Sequence, residues 1–233
     1  MRPVYAIGWA AGFLLNATLI SPSRAQQLIP AATPAPKQAR TWVVKLNAFQ
    51  PLVRGYHAEI ERVLPAHPRT SLGLTLQAYR GSVTEFGVRR EVQPDERVRG
   101  YGAELLYRVY LTGADPTPLT GFYVGAGPQL QRFKMTFQAD GWQNLLADNG
   151  LYYLQKGPVP YNETITRYGA AAVAGYQGPL DIGPLFLDFY VGLGWRQSSF
   201  RSAFPESRYR SSSFDYAARG LYLPAGFKLG IAF

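Results

Sequence analysis

The chain has 233 residues, with 16 Tyr, 13 Phe, 4 Trp and 24 Gly, and only 17% of it is charged; that mixture leans towards β structure. It holds no cysteine, which excludes disulfides, thiol chemistry and cysteine-ligated metal sites. The formal charge of +9 would suit nucleic acid, but the export signal described next makes lipid phosphates the better counter-charge, and no nucleic-acid partner is expected.

Met1 and Arg2 give a short positive start, VYAIGWAAGFLLNATLI supplies an apolar stretch, and Ser23-Arg24-Ala25 places small residues where a signal peptidase reads them. Residues 1–25 are therefore read as a signal peptide, cleaved before Gln26. A retained anchor is the alternative, but Asn16 and Thr18 interrupt the apolar stretch and Pro22 follows it. Residues 26–40, QQLIPAATPAPKQAR, are rich in Pro, Ala and Gln and read as a disordered periplasmic linker. No other run approaches the ~18 apolar residues of a spanning helix, so residence in a membrane would require a barrel.

Eight alternating segments can then be drawn, at roughly 41 to 49, 54 to 64, 70 to 84, 98 to 112, 120 to 137, 164 to 176, 185 to 196 and 219 to 233. The links after the second, fourth and sixth are short, PAHPR, GADPTP and QGPLDIGP, whereas those at 85 to 97, 138 to 163 and 197 to 218 are long. Only the first link, around 50 to 53, is short where the pattern expects length. This asymmetry predicts, for residues 41–233, an all-β, eight-stranded antiparallel up-and-down transmembrane β-barrel with short periplasmic turns and longer extracellular loops. Both termini then lie on the periplasmic side, and the last strand closes against the first so that no unpaired amides face lipid.

Parity assigns the faces. Trp42, Val44, Leu46, Leu72, Leu74, Leu76, Leu105, Tyr107, Val109, Leu111, Phe122, Val124 and Ala126 fall outward, followed by Leu185, Leu187, Phe189, Val191, Leu193, Trp195, Leu221 and Leu223. The opposite parity carries Gln77, Gln129, Gln131 and a balanced charge set: Glu59, Glu61, Glu104 and Asp188 against Lys45, Arg108, Arg196 and Lys228. These eight are expected to form a lumenal ion-pair network, since buried charges persist only when paired. The closing stretch GFKLGIAF places Phe227, Leu229, Ile231 and Phe233 on one face. It resembles the carboxyl-terminal signal by which bacterial barrels are recognised by the barrel-assembly machinery.

Lys45-Leu46-Asn47, Glu59-Ile60-Glu61-Arg62, Glu104 to Tyr110, Gly121-Phe122-Tyr123 and the ending GFKLGIAF together resemble a family of small outer-membrane β-barrel proteins of Gram-negative bacteria, catalogued as a domain of unknown function. Ile60 stands where an aromatic usually precedes the Glu. The resemblance covers about 43 to 233 and is clearest in the first half and the last strand. It implies the barrel fold and the cell outer membrane, and no biochemical activity.

His57, Glu59 and Glu61 share one strand face and would fit a lipid acyl hydrolase, but acyl transfer needs a nucleophile beside the His and an oxyanion site, neither of which the sequence shows. His57 and His67 share no ligand spacing, so no metal site is expected, and no cofactor. Gly125-Ala126-Gly127 and Gly192-Leu193-Gly194 read as room for large lumenal side chains such as Arg108. In the segment SSFRSAFPESRYRSSSFDYAAR, Arg201, Arg208 and Arg210 alternate with aromatics and are expected to contact anions such as lipopolysaccharide phosphates; a solvated loop is the plainer reading. The function expected is structural or surface-interacting, for a monomer in the outer membrane among its lipids. A narrow channel or small-solute transporter is the main alternative, and a lipid-modifying enzyme the lesser one.

Overall fold

The computed structural model describes residues 41–83, 92, 95–111, 119–180 and 184–233; the expected signal peptide and linker lie outside the described residues. Among the described residues there are nine strand segments: β1 Trp42–Asn47, β2 Gly55–Leu64, β3 His67–Ser82, β4 Arg97–Tyr110, β5 Gly121–Leu146, β6 Tyr152–Pro179, β7 Leu185–Arg201, β8 Gly220–Tyr222 and β9 Ala225–Ala232. Neighbours in sequence pair antiparallel from β1 to β7, β7 pairs with both β8 and β9, and β9 pairs back to β1. The sheet is therefore closed, with no free edge around the ring.

The ring has eight staves, as the alternation predicts, and the ninth segment comes from a break in the last one. β8 and β9 lie on β7 in a single register, with Gly194 opposite Tyr222 and Val191 opposite Ala225. The break falls at Leu223–Pro224, where proline has no N–H to give to a ladder; the Pro224 carbonyl still accepts a 2.8 Å bond from the Gly192 amide.

One expectation is corrected. Residues 138–163 are not a loop: β5 and β6 run on in unbroken register from Gly121 opposite Gln177 to Leu146 opposite Tyr152. β7 stops at Arg201, opposite Thr164, so beyond that point β5 and β6 form a two-stranded ribbon that leaves the ring. Gly141, Gly157, Pro158 and Pro160 hide this in the sequence, because glycine and proline are depleted in strands. They are tolerated in the ribbon because one side of β6 has no neighbour there to accept a missing bond.

Partner registers also fix the stagger. Starting at Lys45 and moving from partner to partner leads through Glu59, Thr75, Glu104, Gln129, Gly169, Arg196 and Gly220. The β1–β9 register would return Gly220 to the level of residue 55, about ten residues above the start. Such a stagger goes with strands tilted by about 40° to the axis.

Outward positions carry exposed Leu46, Leu74, Leu76, Leu105, Tyr107, Phe122, Leu193, Trp195, Leu221, Leu229 and Ile231, while inward positions carry the buried charges. Val109, Leu185, Leu187 and Phe227 also face outward but are only partly exposed. Phe233 is exposed and seals the ring by its backbone, accepting from the Trp42 amide at 3.1 Å and donating to the Trp42 carbonyl at 3.0 Å.

Candidate functional site

The interior is filled in layers, beginning at the end where the chain enters and leaves the ring. Val43, Val63, Leu106, Tyr110, Leu119, Tyr123, Val173, Phe186 and Ala232 form a buried apolar cluster there. Directly above it, Lys45, Glu59, Glu61, Arg108, Asp188 and Lys228 meet, all buried, and Lys45, Glu61, Arg108 and Asp188 have no solvent exposure.

Lys45 reaches Glu61 at 2.6 Å, Glu59 at 2.8 Å and Asp188 at 2.8 Å. Arg108 reaches Glu61 at 2.6 Å and Glu59 at 2.9 Å, and lies 4.7 Å over the Tyr123 ring. Lys228 completes the set at 2.5 Å from Glu59. Three cations thus face three carboxylates, and neutral donors take up further lone pairs, while the buried Glu59 Oε1, 2.8 Å from Lys45 Nζ, and Arg108 Nε make no hydrogen bond. Tyr110 donates to Glu61 at 2.7 Å, Ser71 to Glu61 at 2.5 Å, Tyr123 to Asp188 at 2.7 Å and Thr75 to Glu59 at 3.1 Å. Balanced charge with most polar atoms hydrogen-bonded is the condition under which a buried network can offset its desolvation cost.

Strand pairing builds this layer. Lys45 stands opposite Glu59, Ser71 opposite Arg108 and Asp188 opposite both Gln177 and Lys228. Small residues leave the space: a Cβ at Gly230 would lie 2.5 Å from Lys45 Cγ, and one at Gly125 would lie 3.1 Å from Arg108 Cγ.

Of the eight charges expected in the network, Glu104 and Arg196 are not in it. Both lie on the climbing rank that starts at Lys45, so the tilt lifts them above the plane of the others. Glu104 has no ion-pair partner among the described residues, and Arg196 lies 4.7 Å over the Tyr222 ring and donates to the Ser213 carbonyl. Sequence reasoning missed Gln177, whose side-chain oxygen accepts from Lys45 at 2.6 Å, and the hydroxyls of Ser71, Tyr110 and Tyr123. Their inward parity was the available signal.

Above the charges lies a polar layer. His57 Nε2 and Tyr79 Oη are 2.8 Å apart, Gln131 donates to Gln77 at 2.5 Å, and Arg167 donates to Gln131 at 2.6 Å. No serine or threonine hydroxyl bonds to His57 among the described residues. Among the same residues no group of three His, Asp or Glu is placed to hold a metal ion.

The far end is closed by a second apolar cluster, containing Val98, Phe133, Met135, Phe137, Ile165, Tyr209 and Ala217. Tyr209 and Ala217 come from the segment 202–219, which folds into the barrel mouth instead of standing free. Arg208 pairs at 3.0 Å with buried Glu96, Tyr209 donates to Glu96 at 3.3 Å, and Ser198 donates to the Ala217 carbonyl at 2.6 Å. Ser207 also donates to Glu163. Burial pushes the Tyr216 phenol up to about 12, so it stays protonated against the Phe133 ring, 5.0 Å away. Arg208, expected at the surface, is thus held by an internal carboxylate, whereas Arg201 and Arg210 are exposed.

No family model matches the chain, and no curated protein matches it, so the family resemblance rests on the strand motifs alone. Two solved structures are similar to it, CarO and CarO2 of Acinetobacter baumannii. The first is 12% identical, with 84% of this chain and 98% of that one covered and a TM-score of 0.39; the second is 13% identical, with 83% and 98% covered and a TM-score of 0.33. With likeness at that level, the barrel assignment stands on the closed hydrogen-bonded ring itself.

Proposed function

We propose that this chain is an integral outer-membrane β-barrel protein with a structural or surface-interaction role, and that its lumen is a core and not a conduit. The observation that carries this reading is the filling of the lumen: an apolar cluster at each end, with charged and polar layers between. An eight-stranded interior is just wide enough for side chains to fill it. The outward apolar belt supports a lipid environment, because it exposes to the surroundings what a soluble barrel would bury.

On this reading the turn at Pro65–Ala66 is periplasmic and the β5–β6 ribbon stands outside the cell, free to meet a partner. The closing strand, with Phe227, Leu229, Ile231 and Phe233, serves assembly of the barrel. No catalytic role is proposed for His57, since Tyr79 already engages it.

The absence of cysteine makes the placement testable by single-cysteine labelling. A membrane-impermeant maleimide should label Trp142→Cys on intact cells and Ala66→Cys only after the outer membrane is breached. Equal labelling of both on intact cells would overturn the placement.

A further inference from the structure

The outer wall near the loop end carries a feature that barrel closure does not require. Arg80 on β3 stands directly opposite Arg99 on β4, and Arg99 stands directly opposite Lys134 on β5. All three are exposed, as is Arg132 one rank lower. Like charges directly opposite across a sheet repel, and among the described residues none of the four has an ion-pair partner. Among the described residues the charges stand unneutralised on one face.

The same residues line a surface groove of about 460 Å³, whose wall also includes Tyr101 and Thr164, so hydroxyl groups stand beside the cations. Height gives an independent clue. Along β4 and the residue after it, the outward side chains from Leu111 back to Tyr101 span about 33 Å of chain, or about 25 Å along the axis at the tilt above. This matches the apolar band of a membrane barrel. Arg99 follows Tyr101 immediately, so the cations begin where the apolar band ends.

We infer that Arg80, Arg99, Arg132 and Lys134 form a docking site for the phosphate groups of outer-leaflet lipid headgroups. Arginine forks and the lysine ammonium bind phosphate oxygens through charge-assisted hydrogen bonds, and Tyr101 and Thr164 can donate to the same oxygens. A bridging phosphate turns the repulsive rank into a neutral one, and the lipid's acyl chains lie along the leucines below. The site is on the barrel wall and not in the segment 202–219, where Arg208 is already paired. The inference rests on the outer-membrane reading proposed above.

The test uses the purified full chain in detergent, titrated with diphosphoryl lipid A, with the same lipid stripped of both phosphates, and with inorganic phosphate. The site requires at least a tenfold preference for the phosphorylated lipid, weakened by salt, with no displacement by an equal concentration of inorganic phosphate. Arg80→Gln, Arg99→Gln and Lys134→Gln together should abolish the preference. Arg62→Gln, on β2 near its turn into β3, should keep it. Equal binding of the two lipids by the unaltered protein, full displacement by inorganic phosphate, or an unchanged preference in the triple variant would each overturn the inference. The comparison of lipids on the unaltered chain decides the matter even if the triple variant does not fold. Because binding in detergent needs no membrane insertion, lost preference with correct cysteine labelling would overturn the site alone, and retained preference with wrong labelling the placement alone.

Discussion

Arg108 shows how one side chain can hold a lumen together. It contacts Glu61 and Glu59, comes within 3.4 Å of Asp188, and rests on Tyr123. Arg108→Ala would leave three carboxylates sharing two lysines in a site closed to water. Breaking a buried pair costs on the order of 3 to 5 kcal/mol, so the midpoint of urea unfolding in micelles should fall clearly; an unchanged midpoint would mean a hydrated layer. Space matters as much as charge. Gly230→Val would place its Cβ 2.5 Å from both Lys45 Cγ and the Val44 carbonyl oxygen, so a loss of the folded, heat-shifted gel band is expected, whereas Gly150→Ala, whose Cβ would meet nothing within 4 Å, should retain most of it despite its positive φ. At this scale the sequence was readable where parity alone decides direction, as for Lys45, Glu59 and Lys228. It was silent on height, because the tilt that removes Glu104 and Arg196 from the layer is a property of the ring's register and not of any one strand.

Strands divide into those whose residues announce them and those that only pairing reveals. β1 to β4 and β7 alternate cleanly, because one face is exposed and largely apolar and the other meets a packed interior. The β5–β6 extension has weaker contrast: no residue of 141–146 or 152–158 is buried, and Trp142, Leu146, Tyr152 and Leu154 are exposed on one face, so its period-two signal fades although the ladder continues. The ribbon should then be dispensable for the ring. Replacing residues 138–160 by a short turn should leave heat-shifted mobility and urea stability within about 1 kcal/mol of the parent, in line with surface changes away from a core; failure to fold would place the ribbon within the cooperative unit. The last stave differs, since its closure depends on bonds at the chain end. Phe233→Asp should leave export intact and lower the amount assembled in the outer membrane, measured by fractionation. Normal levels would remove the assembly role from this strand.

For the whole molecule, charge-poor composition, alternating strands and alternating link lengths already pointed to an eight-stave barrel, because closure and an inside-out pattern are global demands that every strand repeats. The contents of the lumen were only partly legible. Which charges meet depends on stagger, and the seal at the far end depends on Tyr209 and Ala217 folding back from a segment with no strand signal of its own. Two apolar seals in series give a specific expectation: Tyr209→Ala loosens only one of them, so it should lower stability without opening a conducting path. The most direct test of the central claim is single-molecule conductance of the unaltered barrel in a planar bilayer. A filled lumen gives no steady conductance above that of the bare bilayer at any applied voltage the membrane tolerates; stable, reproducible open steps from the unaltered protein would show a water-filled path and contradict it.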